Sequence, residues 1–353
     1  MGTVQEVTMQ SNYAEQTSCL KEFARYTSLN VLGMIGLSCY ILADTFFVAK
    51  GLGTSGLAAL NLAIPVYSFI HGTGLMFGIG GATKFSISRK SGLSDLIFTN
   101  TLFFARFTAL LFFLAGLFLS PQITALLGAD SQVAAMTQTY LKMILLFAPA
   151  FILNDILVCF VRNDGNPRLS MLAMLGGSMA NILLDYVFIF PLGMGIFGAV
   201  LATGLAPLIS IAIMSGHWMG KNKGFHLAKT EIQGQTALLI LSLGFPSLIT
   251  EVSSGIVIIV FNVIILGLKG NVGVAAYGVI ANLSLVVISI FTGIAQGMQP
   301  LISSAYGRGD SARIRGILRY GLAAAVFMVG VVASIACAGG TVIWAFYKLF
   351  GVM

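Results

Sequence analysis

The chain has 353 residues, of which 57% are hydrophobic and only 9% charged, against roughly 25% charged residues in soluble domains; a water-soluble globular protein is excluded. Its net charge of +7 would suit nucleic acid, but the basic residues stand in short clusters between long apolar runs, which fits a membrane surface and no nucleic-acid partner. The useful divisor of the length is therefore the roughly 20 apolar residues that cross a bilayer.

A polar segment, 1–25, precedes the first apolar run, which begins near Leu29. No A-x-A-like cleavage site follows, so the expectation is a retained helix and not a signal peptide. Hydropathy windows place helices near 26–49, 56–81, 96–119, 136–161, 169–190, 195–217, 236–267, 273–298 and 314–338. The fold class expected is an all-α integral membrane protein of about nine spans.

Lys21 and Arg25; Lys84, Arg89 and Lys90; Arg162 and Arg168; Lys221, Lys223 and Lys229; and Arg308, Arg313, Arg315 and Arg319 fall on one side of these spans. Only Lys50, Lys269 and Lys348 fall on the other. This fourteen-to-three bias predicts a cytoplasmic N-terminus in a plasma membrane of the prokaryotic inner-membrane kind, and an odd number of spans then leaves the C-terminus outside. Lys142 lies near an outer helix end, where its stem can snorkel; Arg106 lies deep in the third span. Cys19, Cys39, Cys159 and Cys337 have no metal-like spacing and read as small apolar fillers.

A shift of 217 positions lays GTSGLAALN (53–61) over GNVGVAAYG (270–278), and the same register pairs Gly80 with Gly297 and Gly92 with Gly309. One register held over forty residues points to an internal duplication. Six spans separate the copies, an even number, so the repeats enter the membrane in the same direction, as in some secondary transporters. The organisation expected is a cytoplasmic N-terminal segment (1–25), a six-helix bundle (26–217), an inter-bundle linker (218–235) and the first three helices of a second bundle (236–353). By this arithmetic the second copy stops three helices short, and the expectation is a truncated product or fragment.

Asp185, in the run ANILLDYVFIF, is a carboxylate where an ionised side chain costs roughly 2.5–3.5 kcal/mol on insertion scales. Such a residue is a functional candidate by default. Asn181 stands four residues earlier, on the same helix face, so the two can converge on one ion or proton. Gly74 and Gly78, like Gly293 and Gly297, have the small-xxx-small spacing of close helix approach. His71 could titrate, but a lone intramembrane histidine reads more readily as a packing residue. Pro65, Pro149, Pro207 and Pro300 lie within or at the ends of spans and mark bending points.

Taken together, three stretches resemble one family, the multidrug and toxic compound extrusion (MATE) transporters: ILADTFFVAKGLGTSGLAALNLAIP at 41–65, VRNDGNPRLSMLAMLGGSMANILLDYVFIFPLGMGIFGAVLAT at 161–203, and GIAQGMQPLISSAYGRGD at 293–310. The resemblance implies paired bundles around a cavity that opens alternately to the two sides and exports organic compounds against an inward flux of H+ or Na+. It implies a cation-coupling cluster of Asp44, Tyr40, Asn181, Asp185 and Thr203, with Na+ taking Asp44, Asn181, Asp185 and Thr203 as its candidate ligands. Asp155 stands where relatives often have asparagine and adds a third acid. Leu29 stands where relatives often have a proline, whereas the repeat places Pro246 at the matching position of the second half.

Packed carboxylates in a low-dielectric interior can exchange protons near physiological pH and act as a switch. Glu251, whose repeat partner is Met34, breaks the symmetry of the halves and is a candidate for binding cationic substrate. The sequence carries no Walker loop, GxSxG or HExxH motif, so the expectation is no enzyme and no cofactor beyond the coupling ion. The function expected is cation-coupled efflux of cationic or amphipathic small molecules. A lipid-linked oligosaccharide flippase is the alternative, against which the acids Asp44, Asp155, Asp185 and Glu251 weigh; a non-transporting fragment is another.

Overall fold

A computed structural model describes residues 2–220 and 223–350, with side chains described over 18–220, 223–257 and 284–334 and at 260, 261, 264, 265, 268, 281 and 337. Lys221 and the side chains of Lys269, Lys348 and the 270–278 repeat motif lie outside the described residues. All regular structure among the described residues is helical.

The first helical stretch, α1 (Gly2–Ile87), runs for 86 residues and is interrupted at one non-helical residue, Gly53. Straight, it would extend about 130 Å at 1.5 Å per residue, four times the roughly 30 Å hydrocarbon core. It turns back instead at Gly53, whose φ of 67° and ψ of −158° lie in a region open essentially to glycine alone. Tyr40 and Tyr67, nearly equidistant from that glycine, bring their hydroxyls within 2.9 Å of each other. The two arms of α1, 2–52 and 54–87, therefore lie antiparallel and account for the first two predicted spans.

The chain continues through α2 (Ser94–Phe118), the short α3 (Ser120–Leu126), α4 (Ala134–Asn163), α5 (Pro167–Ile189), α6 (Gly195–Trp218), α7 (Gly234–Gly307) and α8 (Ser311–Phe350). Among the described residues eight stretches are long and apolar enough to cross a membrane, and nine once Ser18–Ile87 is divided at Gly53. Local chemistry sets several ends. Asn166 caps α5 by accepting the Leu169 N–H at 3.2 Å, with Pro167 at the first helical position where its missing N–H is harmless. Asp310 accepts the Arg313 N–H at 2.9 Å at the start of α8.

The core is centred on α4. Leu141, Ile144, Ala148, Ile156 and Phe160 along it are fully buried, packed among the arms of α1, α2, α5 and α6. Phe107, Phe118, Leu183, Leu322 and Phe327 are exposed around the outside, the apolar belt that lipid would cover. The segment after α6 is pinned by backbone donors: Gly224 N–H to Asp164 (2.8 Å), His226 N–H to Asp95 (2.7 Å) and Gln233 N–H to Asn100 (2.9 Å).

The two apolar stretches of α7, Gly234–Val257 and Ser284–Gly307, pack on the two arms of α1. Gly80 packs against Ile240 and Gly244, and Gly255 against Ser68; Gly297 packs against Thr27, Gly293 against Val31. Both pairings are antiparallel, so the two stretches of α7 also oppose each other. The repeat is visible in these contacts. Gly80 meets Gly244, and the shift of 217 converts this pair into Gly297 meeting Thr27. The same shift pairs Gly92 (φ 69°) with Gly309 (φ 74°), both left-handed residues closing a helix end.

One basic residue departs from expectation. Arg162, placed among the surface charges by its position near a span end, is 1% exposed. It lies in the last turn of α4 and turns inward, donating to Asn30 Oδ1 and, at 3.3 Å, to Gln296 Oε1. Asn30 Nδ2 in turn donates to Gly293 O at 3.0 Å. Asn163 Nδ2 reaches Gln299 Oε1 at 3.0 Å, and Gln299 Nε2 reaches Thr83 Oγ1 at 2.6 Å. With the Glu22–Arg313 ion pair between α1 and α8, these bonds form a polar seam joining residues 18–163 to residues 293–313 at the end that carries the basic clusters.

Candidate functional site

Asp44, Asp185, Asn181, Asp155, Thr203 and Tyr40 are all buried, between 0% and 8% exposed. Buried polar groups in a bilayer-spanning bundle must find partners within the protein, so their bonds show what each is placed to do. Asp185 and Asn181 occupy one face of α5, and Thr203 faces them from α6. The Asn181 amide is oriented by its neighbours: with Nδ2 donating to Asp185 Oδ2 at 3.0 Å, its oxygen accepts the Thr203 N–H at 3.2 Å, whereas the reverse would oppose two acceptors. Thr203 Oγ1 donates to Ala199 O at 3.1 Å and hydrogen-bonds Tyr140 of α4.

Asp44, from the first arm of α1, comes close enough to Asp185 for their charges to interact. Asp44 Oδ1 and Asp185 Oδ1 are both fully buried and have no hydrogen-bond partner among the described residues. Two carboxylate oxygens with nothing to accept from are costly in such a setting, by about 1–3 kcal/mol each and more if ionised. A proton shared between them or a small cation would satisfy both. Asp44, Asp185, Asn181 and Thr203 thus form one cluster, and Tyr40 stands one turn from Asp44 within electrostatic range of it.

Asp155 is held differently. Its Oδ2 lies 3.0 Å from Nδ1 of His71 on the second arm of α1, an ion pair when both ring nitrogens carry protons. Gly74 and Gly78 make the approach possible, since a Cβ at either would run into Asp155. His71 is therefore not solitary: it is a buried side chain partnered by an acid on another helix. Its ring stacks on Tyr67 (centroids 5.9 Å apart, 5° between planes), Phe151 meets Tyr67 edge-on, and Tyr67 bonds Tyr40. Glu251 is half-buried on α7 beside Gly72, and its charge reaches His71. A cavity of about 80 Å³ runs along these groups, lined by Tyr40, Thr203, Tyr67, His71, Asp155 and, from α7, Gln296.

Sequence reasoning missed Tyr67, Tyr140 and Arg162 as well as the role of His71. The spacing of Tyr67 and His71 by four residues would have put them on one helix face; the partners of Arg162 carried no local signal. Among the described residues no group of three His, Cys, Asp or Glu is arranged to hold a metal ion. Cys19 and Cys159 are buried, and Cys39 and Cys337 are exposed.

The chain matches the family model described as MatE over residues 31–187 and 246–348. The multidrug export protein MepA of Staphylococcus saprophyticus is 28% identical over 314 residues, covering 87% of this chain and 69% of the relative. Among solved structures, a MOP superfamily transporter from Pyrococcus furiosus aligns with a TM-score of 0.82 at 24% identity, covering 92% of this chain and 74% of its own. A multidrug resistance MATE family transporter of the MOP superfamily, in an outward-facing conformation, aligns with a TM-score of 0.78 at 26% identity, covering 89% and 71%.

Proposed function

Because the chain belongs to the MatE family, we propose that it is a secondary transporter that exports organic, cationic or amphipathic compounds in exchange for H+ or Na+, the ion being carried by Asp44 and Asp185. The observation that carries this reading is the pair of buried, unpartnered oxygens, Asp44 Oδ1 and Asp185 Oδ1. They are buried acceptors that a positive charge would satisfy. Asn181 and Thr203 hold Asp185 in place, and Tyr140 holds Thr203, so the acceptors are fixed before the ion arrives. Relatives named as multidrug export proteins support the substrate class.

In this reading, residues 236–353 rock against the bundle formed by 26–217, about the linker 218–235. Parting the seam of Arg162, Asn30 and Gln296 would open the cavity at the end where the basic clusters lie. The charge bias, which survives the removal of Arg162 from it, supports that end as cytoplasmic in a plasma membrane. The test is reconstitution in liposomes, with uptake of tetraphenylphosphonium driven by an imposed gradient of H+ or of Na+. Wild-type protein should accumulate the cation, and Asp185→Asn, which keeps the hydrogen bond to Asn181 but not the charge, should not. Undiminished ion-driven uptake by Asp185→Asn would remove this acid from the mechanism.

A further inference from the structure

The His71–Asp155 pair lies outside the cluster that holds the coupling ion, and the cavity runs alongside it. Asp155 is 9% exposed and His71 16% by side chain, so water does little to neutralise either. The charged and titratable groups facing His71 are Asp155 from α4, Glu251 from α7, Tyr67 from its own arm and Tyr40 from the other. Among these only the two acids can match a positive charge, and Asp155 is the one in contact. The aromatic faces of Tyr67 and Phe151 beside the pair supply the quadrupoles that attract flat or lipophilic cations.

We propose that the His71–Asp155 pair is the substrate-exchange site, in which protonated His71 occupies on Asp155 the place an organic cation takes. This rests on the transport reading above and specifies where substrate and proton meet. When the cation arrives beside Asp155, a second positive charge on His71 is repelled at short range with little solvent to screen it. The imidazolium gives up its other ring proton, on Nε2, to cavity water and becomes neutral, Nδ1–H goes on donating to Asp155, and Asp155 keeps one counter-charge throughout. Net charge in the site is unchanged: one cation enters, one proton departs. A cavity of about 80 Å³ is smaller than the roughly 300–1,000 Å³ of pockets that enclose small molecules, so the cation enters as the site widens, and until then the pair holds the proton. Gly74 and Gly78 set the geometry by letting α4 approach the second arm of α1.

Calorimetry of tetraphenylphosphonium binding to the purified full chain, in two buffers of different ionisation enthalpy, counts the protons released. Wild type should release about one proton per cation, with a Kd that tightens about tenfold per pH unit while His71 is protonated. His71→Asn keeps a neutral donor where Nδ1 stood; it should bind the cation with almost no proton release and a flat pH dependence. His71→Gln serves if that variant does not fold. Asp155→Asn should weaken binding at least tenfold. Proton release by the His71 variants equal to wild type would overturn this assignment and leave ion-driven uptake untouched. Wild type that binds no cation would overturn both the assignment and the transport reading.

Discussion

Replacing Gly297 or Gly80 by alanine tests how closely the two halves must approach. A Cβ on Gly297 would stand 2.7 Å from Thr27 Cα and 3.1 Å from Thr27 N and Tyr26 O. These are backbone atoms, which cannot rotate aside, and ordinary contact begins near 3.4 Å. The first arm of α1 and the second stretch of α7 would have to part by about 0.7 Å, an overpacking that costs about 1–3 kcal/mol. Gly80→Ala meets the backbone of Ile240 and Gly244 in the symmetry-related contact, still more closely at the Ile240 carbonyl oxygen, and should lose more. Gly216, inside α6 with nothing within 4 Å of its Cβ position, is the control: there alanine should gain about 0.5–1 kcal/mol from helix propensity. The assay is thermal unfolding in detergent, followed by a dye that reacts with the buried thiols of Cys19 and Cys159. The two contact variants should unfold several degrees lower than wild type, and Gly216→Ala no lower. Equal unfolding temperatures for Gly297→Ala and Gly216→Ala would refute the claim that backbone approach at the seam limits stability.

Arg162→Lys should destabilise the folded protein by about 1–3 kcal/mol, because the single nitrogen of the shorter side chain cannot replace both Nη1, which donates to Asn30 and Gln296, and Nη2, which reaches Cys159; denaturation in detergent measures it, and wild-type stability would contradict it. Gly53→Ala should cost about 1–2 kcal/mol through its positive φ alone, with open space around the new methyl; an unchanged unfolding temperature would show that the turn relaxes freely. Cysteines introduced at Lys229 and at Met194 should differ in labelling by an impermeant maleimide applied to intact cells, with Met194→Cys reacting and Lys229→Cys protected. The reverse pattern would invert the topology.

Much of the architecture was legible because lipid is the solvent: spans must be apolar, and only Lys and Arg distribution sets their direction. A connection between the spans 26–49 and 56–81 was expected from hydropathy, and Gly53 was matched to Gly270 by the repeat, but that the chain turns on Gly53 itself came from its backbone angles. The pairing of Gly80 and Gly297 was visible in the same way, although the sequence showed only that they matched and not what they touched. Less could be read of polar contacts between distant positions. Arg162 and Asn30 lie 132 residues apart, and no local pattern says that an arginine at a helix end will turn inward. His71 looked solitary because its acid, Asp155, sits on another helix in a position where the resemblance implied asparagine. The short helix α3 and the helical start of α1 escaped notice because neither is apolar enough to register as a span. That Asn181 and Asp185 share a helix face was legible from their i,i+4 spacing, and that Asp44 and Thr203 lie near them was expected from the resemblance; that they carry an ion is the proposal made above.

The central claim is that ion and organic cation move in opposite directions through one protein and that Asp44 and Asp185 carry the ion. The most direct measurement is the reverse flux: liposomes containing the protein, with no ion gradient, are given a steep tetraphenylphosphonium gradient while internal pH and Na+ are followed with trapped indicators. Wild type should move one of the two ions against the direction of the organic cation, and Asp44→Asn with Asp185→Asn should abolish that movement while leaving the protein folded. Organic-cation flux with no accompanying ion in wild type, or ion movement preserved in the double variant, would contradict the account.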